Sequence, residues 1–261
     1  MVAAIINKDL FEYLLEEANN LRFYGWDWSV LAGRVLEKSP TWSYLDIVRN
    51  RMQFCKTFLD IGTGGGELLS TLRPFPHLAL ATESYPPNVS IAGSRLIPLG
   101  VHVIAVDEAL PFPFSSQSFD LIANRHAGYH PPDLYRILRP DGHFITQQVG
   151  GSNCIGLNQL IQEHAHFIYS YWTLKYATDE LLSCGFVITD QREEYPEVTF
   201  TDIGAVVSFL KIISWQIEDF STEKYFDQLV NIHNMIQENG PLTIHQHRFL
   251  IEANKRPDVR S

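Results

Sequence analysis

Apolar positions along this chain fall into two regimes. Between residues 56 and 149, short and nearly continuous apolar runs alternate with helical stretches. The runs over 56–61, 78–82, 101–106, 119–123 and 143–149 read as strands, and 67–72, 87–97 and 132–138 read as helices. Strands buried on both faces lack polar alternation, so this region predicts a parallel sheet covered by helices on both sides. A proline opens the 87–97 helix, and Arg139-Pro140-Asp141-Gly142 reads as a turn before the 143–149 strand.

The flanks follow a helical period. Leu10, Phe11, Leu14, Leu15, Ala18 and Leu21 form a stripe over 8–22, broken by the aromatic run Phe23-Tyr24-Gly25-Trp26-Asp27-Trp28. Ser39-Pro40 reads as the cap and first position of a helix that continues through 42–52. Further on, a short helix over 178–184 closed by Gly185 precedes a strand over 186–192. Ile203, Val206, Val207, Leu210, Ile213 and Ile217 mark a mostly helical stretch over 202–239, and 248–253 alternates like a strand. The expected organisation is an N-terminal helical cap over 1–53 and a doubly wound α/β domain over 54–261. That domain carries a helical insert over 200–240, placed either to cap a pocket or to pack.

Composition narrows the class. With 45% hydrophobic residues in 261, the chain can bury a sizeable core. A formal net charge of −10 makes it a poor polyanion binder, so nucleic acid is not the expected partner. Cys55, Cys154 and Cys184 are far apart, which indicates neither a zinc knuckle nor a disulfide framework, and no metal is expected. The start MVAAIINKDLFEYLLEE lacks a signal-peptide pattern and no apolar run of about 18 residues occurs, so a soluble cytoplasmic monomer or homodimer is expected.

The candidate chemistry begins at LDIGTGGGE, residues 59–67. Dinucleotide spacing fails here, because the third glycine would fall at Glu67 in one register and at Leu69 in another. A phosphate loop fails too, since no lysine follows. Asp60 ends the strand, and a carboxylate there repels pyrophosphate while attracting an ammonium or sulfonium group. Glycines let a ligand approach the backbone closely. A cationic nucleoside without phosphate, S-adenosyl-L-methionine, satisfies both constraints. Glu83 ends the next strand, where a carboxylate can grip ribose hydroxyls, and Asp107-Glu108 end the third, beside the adenine amino group.

LDIGTGGGE, ATES, AVDEALPFPFSSQSFDLIANRH and LYRILRPDGHFITQQV together resemble the class I (Rossmann-like) S-adenosylmethionine-dependent methyltransferases, and within them the methyltransferase type 11 group. The resemblance spans roughly residues 50–195. It implies a seven-stranded sheet of order 3-2-1-4-5-7-6 with an antiparallel last strand, a role that suits 248–253. It also implies that Asp60, Gly62, Gly64 and Gly66 line the methionine end, that Glu83 holds the ribose and that Asp107 and Glu108 flank adenine, with Thr63 and Ser84 also among the cofactor-binding residues. Asn124 and Arg125 would edge the transferable methyl, and Tyr85 can stack beside adenine.

Methyl transfer requires the nucleophile, methyl and sulfur to be collinear, and requires a base only when the acceptor must lose a proton. His126 is the first candidate base, with Tyr129 and His130 behind it; the alternative is a plain turn before Pro131-Pro132. Tyr24 can reach the cofactor carboxylate if the aromatic run closes over the pocket, or that run can be core. Gln147-Gln148 either point an amide into the pocket or bond along the sheet. His245 with His247, and His164 with His166, lack a third ligand nearby in sequence. The acceptor reading is a small molecule methylated at O or N. The alternatives are an rRNA or tRNA base, and a cofactor-binding protein without catalysis.

Overall fold

The computed structural model describes residues 4–23, 28–165 and 167–256. The chain divides into two compact units, each assembled from three segments. One comprises 41–150, 171–194 and 248–261, and the other 1–40, 151–170 and 195–247. This division differs from a cut at residue 53, because the helix over 44–52 packs in the sheet unit.

The first unit holds a seven-stranded sheet: β1 (Thr57–Ile61), β2 (Leu78–Glu83), β3 (Val101–Ala105), β4 (Phe119–Arg125), β5 (Leu138–Val149), β6 (Phe186–Glu194) and β7 (Arg248–Lys255). Counted this way its order is 3-2-1-4-5-7-6, as the resemblance implied. β7 pairs antiparallel with both β5 and β6, while β1–β2, β1–β4, β2–β3 and β4–β5 are parallel.

Alternate residues along the strands feed separate cores. Phe58, Leu121, Ala123, Ile145 and Leu250 join one cluster with Val48, Met52, Ala92 and Leu96. Leu59, Ile61, Ile122, Phe144, Phe249 and Ile251 join another with Leu134, Ile137, Ala177 and Leu181. Burial on both faces explains the unbroken apolar runs. Phe58 and Phe144 are fully buried, each contributing about 1.5–3 kcal/mol of transfer free energy.

Several elements differ from their sequence pattern. The helix expected from Ser39-Pro40 runs over Tyr44–Met52, where Ser43 accepts from the Asp46 N–H at 3.2 Å. The helix expected over 67–72 is a single 3-10 turn, Leu69–Thr71. Ser70 and Thr71 donate to the carbonyls of Glu67 and Leu68, competing with helix propagation, and Pro74 and Pro76 bar extension. The expected turn at 139–142 lies inside β5, with Asp141 in a left-handed conformation.

The second unit packs its own core around Phe11, Leu14, Phe200, Ile203, Val207, Leu229 and Ile232. Helices Lys8–Asn20, Ile155–Ile161, Ile203–Ile212 and Phe226–Asn239 accompany a three-stranded antiparallel sheet of Val35–Glu37, Glu197–Phe200 and Leu242–His245. The 202–239 stretch is thus two helices. Ser221 accepts from the Lys224 N–H and turns the chain between them. Tyr24, Trp26 and His166 lie outside the described residues. No helix of the described residues is long and apolar enough to cross a membrane.

Candidate active site

The carboxyl ends of β1 to β4 converge where the strand order reverses between β1 and β4, the position at which open α/β sheets bind ligands. Gly62, Gly64 and Gly66 have φ of 70°, 63° and 77°, so the loop after β1 needs left-handed backbone at alternate residues. A Cβ on Gly62 would overlap that of Ala127, and one on Gly66 would meet Leu96.

Glu83 organises this loop. Its carboxylate accepts from the N–H groups of Gly64 (2.6 Å), Ser84 (3.0 Å) and Tyr85 (2.9 Å). Thr63 N–H bonds the Thr82 carbonyl at 2.9 Å. From the helix Pro86–Leu96, Arg95 donates to the Gly65 carbonyl and pairs with Glu67. Arg95 had no local signal in sequence, because it acts across a loop from about 30 residues away. Ser84 donates to Glu108 at 2.6 Å, and the Asp107 carboxylate accepts from Ala109 N–H at 2.9 Å. Ser84, Tyr85, Val106, Asp107 and Glu108 line an open cleft of about 480 Å³.

Asp60 lies deeper. Burial pushes its carboxyl up to about 7; the Thr63 hydroxyl and Arg125 guanidinium pull it back, and the Glu83 carboxylate adds to the rise. Tyr44 is within reach of the same charges, and desolvation followed by Asp60 raises its phenol well above the ordinary range. The hydroxyls of Tyr44 and Thr63 are buried, that of Thr63 against the Asp60 carboxyl and that of Tyr44 near the Asn124 backbone. Nothing in sequence marked Tyr44, which enters from a helix preceding β1.

The end of β4 is polar and closely tied. Asn124 is fully buried: its Oδ1 accepts from Thr146 (2.9 Å) and Gln148 (2.6 Å), and its Nδ2 reaches the Ile61 carbonyl. It therefore braces β1 against β4 and β5. His126 has φ of 59°, its N–H bonds the Gln147 carbonyl at 2.9 Å, and its Nε2 lies 3.2 Å from Gln147 Nε2. Gln147 Oε1 in turn accepts from Trp42 Nε1 at 2.8 Å. Desolvation, then Arg125 and Arg248, hold the imidazole well below its usual range. Tyr129 packs edge-on to Phe144 and Trp172 with its hydroxyl buried, while His130 is exposed at the start of the helix Pro131–Ile137. Phe112 and Phe114 stack in a loop held by Asp133 and Arg136. Phe23 and Trp28 contact each other in the second unit, where Trp28 also meets Phe209. No cluster of three or more potential metal ligands occurs among the described residues.

This sheet order, with a glycine loop after β1 and acids at or just beyond the ends of β1, β2 and β3, is that of the class I methyltransferase fold. Residues 59–146, about a third of the chain, match a family model described as a methyltransferase domain. Over 98 residues the chain is 31% identical to YcgJ of Bacillus subtilis strain 168, a protein named as an uncharacterised methyltransferase. The match takes in 33% of this chain and 38% of YcgJ. The crystal structure of the B. subtilis YcgJ protein superposes with a TM-score of 0.57 at 17% identity, covering 82% of this chain and 99% of that one. The [4+2]-cyclase SpnF shares the fold with a TM-score of 0.53 at 15% identity, over 96% of this chain and 94% of its own.

Proposed function

We propose that the chain transfers a methyl group from S-adenosylmethionine to an oxygen or nitrogen of a small-molecule acceptor. The observation that carries the reading is Asp60: a carboxyl at the end of β1, raised to about 7 by burial, with the buried Thr63 and Tyr44 hydroxyls close by. Such a group gains most from a ligand ammonium or sulfonium. The glycine loop admits that ligand where side chains would collide. When bound, the cofactor supplies an electrophilic methyl on sulfonium.

The chain's own residues do the rest. Asp60 holds the amino end, with the Gly62–Gly66 backbone alongside. Glu83 fixes the loop and offers its remaining lone pairs to ribose hydroxyls. Ser84, Asp107 and Glu108 edge the adenine, and the exposed Tyr85 ring covers it. Because charge disperses as sulfonium becomes thioether, orientation and water exclusion carry most of the rate. The balance of −10 supports a small acceptor over RNA.

Calorimetry with S-adenosylmethionine and S-adenosylhomocysteine is the primary test. Labelled-methyl transfer into a metabolite extract and into total RNA then assigns the acceptor class. Binding of NAD with no heat from either adenosyl compound would reverse the reading.

A further inference from the structure

The contact between His126 and its partners fixes where the imidazole proton sits. An indole N–H only donates, so the Gln147 atom 2.8 Å from Trp42 Nε1 is the amide oxygen. The Gln147 NH₂ therefore faces His126 Nε2 at 3.2 Å. An NH₂ group only donates, so Nε2 carries its lone pair there and the ring proton resides on Nδ1. Protonating Nε2 would set N–H against N–H. No described residue takes a hydrogen bond from Nδ1, and the ring is half-buried.

The backbone holds this arrangement in place. β4 and β5 pair Arg125 with Gln147, and the left-handed residue His126 returns its own N–H to the Gln147 carbonyl. Other groups facing the ring act in the same direction: the Arg125 and Arg248 guanidiniums both oppose a positive imidazole. Asp60 and Tyr44 also feel the Arg125 charge, and Asp60 is itself largely protonated below about pH 7.

We propose that His126 is a permanently neutral positioning donor, locked as the Nδ1–H tautomer by the Trp42–Gln147 relay, and not the base of the methyl transfer. Its Nδ1–H serves an oxygen acceptor on a ligand at the end of β4, whether a carboxylate of the cofactor or a carbonyl, hydroxyl or carboxylate of the methyl acceptor. The methyl acceptor accordingly presents a nucleophile whose proton His126 does not remove. This rests on reading the cleft as a cofactor and acceptor site.

The lock itself is testable without any ligand. Long-range ¹H–¹⁵N spectra of the full chain with labelled histidine, with His126 assigned by its loss in His126→Asn, should show a protonated Nδ1 and a bare Nε2. That pattern should persist from about pH 5.5 to 8, a range in which an ordinary imidazole (pKa ~6.5) titrates. A protonated Nε2, or an imidazolium forming within that range, overturns the proposal. Gln147→Glu replaces the donor with an acceptor and should make His126 titrate above the ordinary value; an unchanged spectrum would count against the relay. In turnover, Asn at 126 keeps a donor near the Nδ1 position, tolerates left-handed backbone and should retain kcat/KM within about threefold. His126→Leu should lose about five- to tenfold, as expected for one hydrogen bond of 1–1.5 kcal/mol. Equal losses in the two variants, or an acid limb near pH 6.5 that His126→Asn removes, would identify a base instead. Titrating S-adenosylmethionine and the acceptor separately, and following the Nδ1 proton, distinguishes the two sources of the oxygen. Absence of any cofactor heat would sink the functional reading while leaving the tautomer result standing.

Discussion

In the proposed cofactor site, Asp60 links protonation, ligand binding and stability in one residue. A cationic ligand binds its ionised form, which dominates only above about pH 7. Affinity for S-adenosylmethionine should fall up to about tenfold per pH unit below 7 and level off above it. Asp60→Asn should bind weakly at every pH and lose this slope, as calorimetry from pH 5.5 to 8.5 will read. Folding has the opposite sign. The carboxyl moves from about 3.9 in the unfolded chain to about 7 in the native one, so its contribution is full at low pH and lost as pH rises through 7. Without ligand, Asp60→Asn should match the parent near pH 4.5 and melt higher above pH 7. Asp60 and Glu83 were legible in sequence because each ends an apolar run beside glycines. Trp42, Tyr44 and Arg95 were not, since only tertiary folding brings them to the loop. The sequence placed His126 at the right strand end, but its protonation depends on Trp42 and Gln147, whose contact no spacing reveals.

The element that matters most is the loop between β1 and β2. No α-helix follows it, so its shape rests on Glu83, Arg95 and three left-handed glycines instead of a helix N-terminus. Gly62→Ala combines a left-handed φ, costing about 1–2 kcal/mol, with overlap of the Ala127 Cβ. It should lower the melting temperature by several degrees and abolish cofactor binding. Gly65→Ala is the control: its φ is not positive, and the nearest atoms to its Cβ would be the carboxylate end of the Glu67 side chain, which can swing away. It should change stability much less, and equal damage from both would show that the loop is not held as described. Glu83→Ala removes three charge-assisted bonds and should weaken S-adenosylmethionine at least tenfold, a loss of about 1.5–3 kcal/mol. The strands of this sheet were legible because burial on both faces leaves a continuous apolar signal. The strands Val35–Glu37, Glu197–Phe200 and Leu242–His245 were not, as three or four residues are too few to show a period of two.

At the scale of the chain, length allowed one large domain or two small ones, and the apolar pattern indicated a parallel α/β sheet but not how its segments divide. Each unit draws on three separate stretches, so no single cut separates them. The boundary expected at residue 53 leaves the apolar runs intact yet removes Trp42, Tyr44, Val48 and Met52 from the core against β1, β4 and β5. It also removes the helix Lys8–Asn20, whose Phe11, Leu14, Leu15 and Ala18 lie in the core of the other unit. A core aliphatic or aromatic side chain is worth about 2–5 kcal/mol when truncated, against a total stability of about 5–15 kcal/mol for a domain. Losing eight buried side chains from two cores exceeds that margin. A fragment spanning 54–261 should therefore be expressed insolubly or bind hydrophobic dye without a cooperative melt, while the full chain melts cooperatively. A soluble, cooperatively folded 54–261 that still binds S-adenosylmethionine would show that the N-terminal segment is a dispensable cap and that the sheet unit holds together without its first helix.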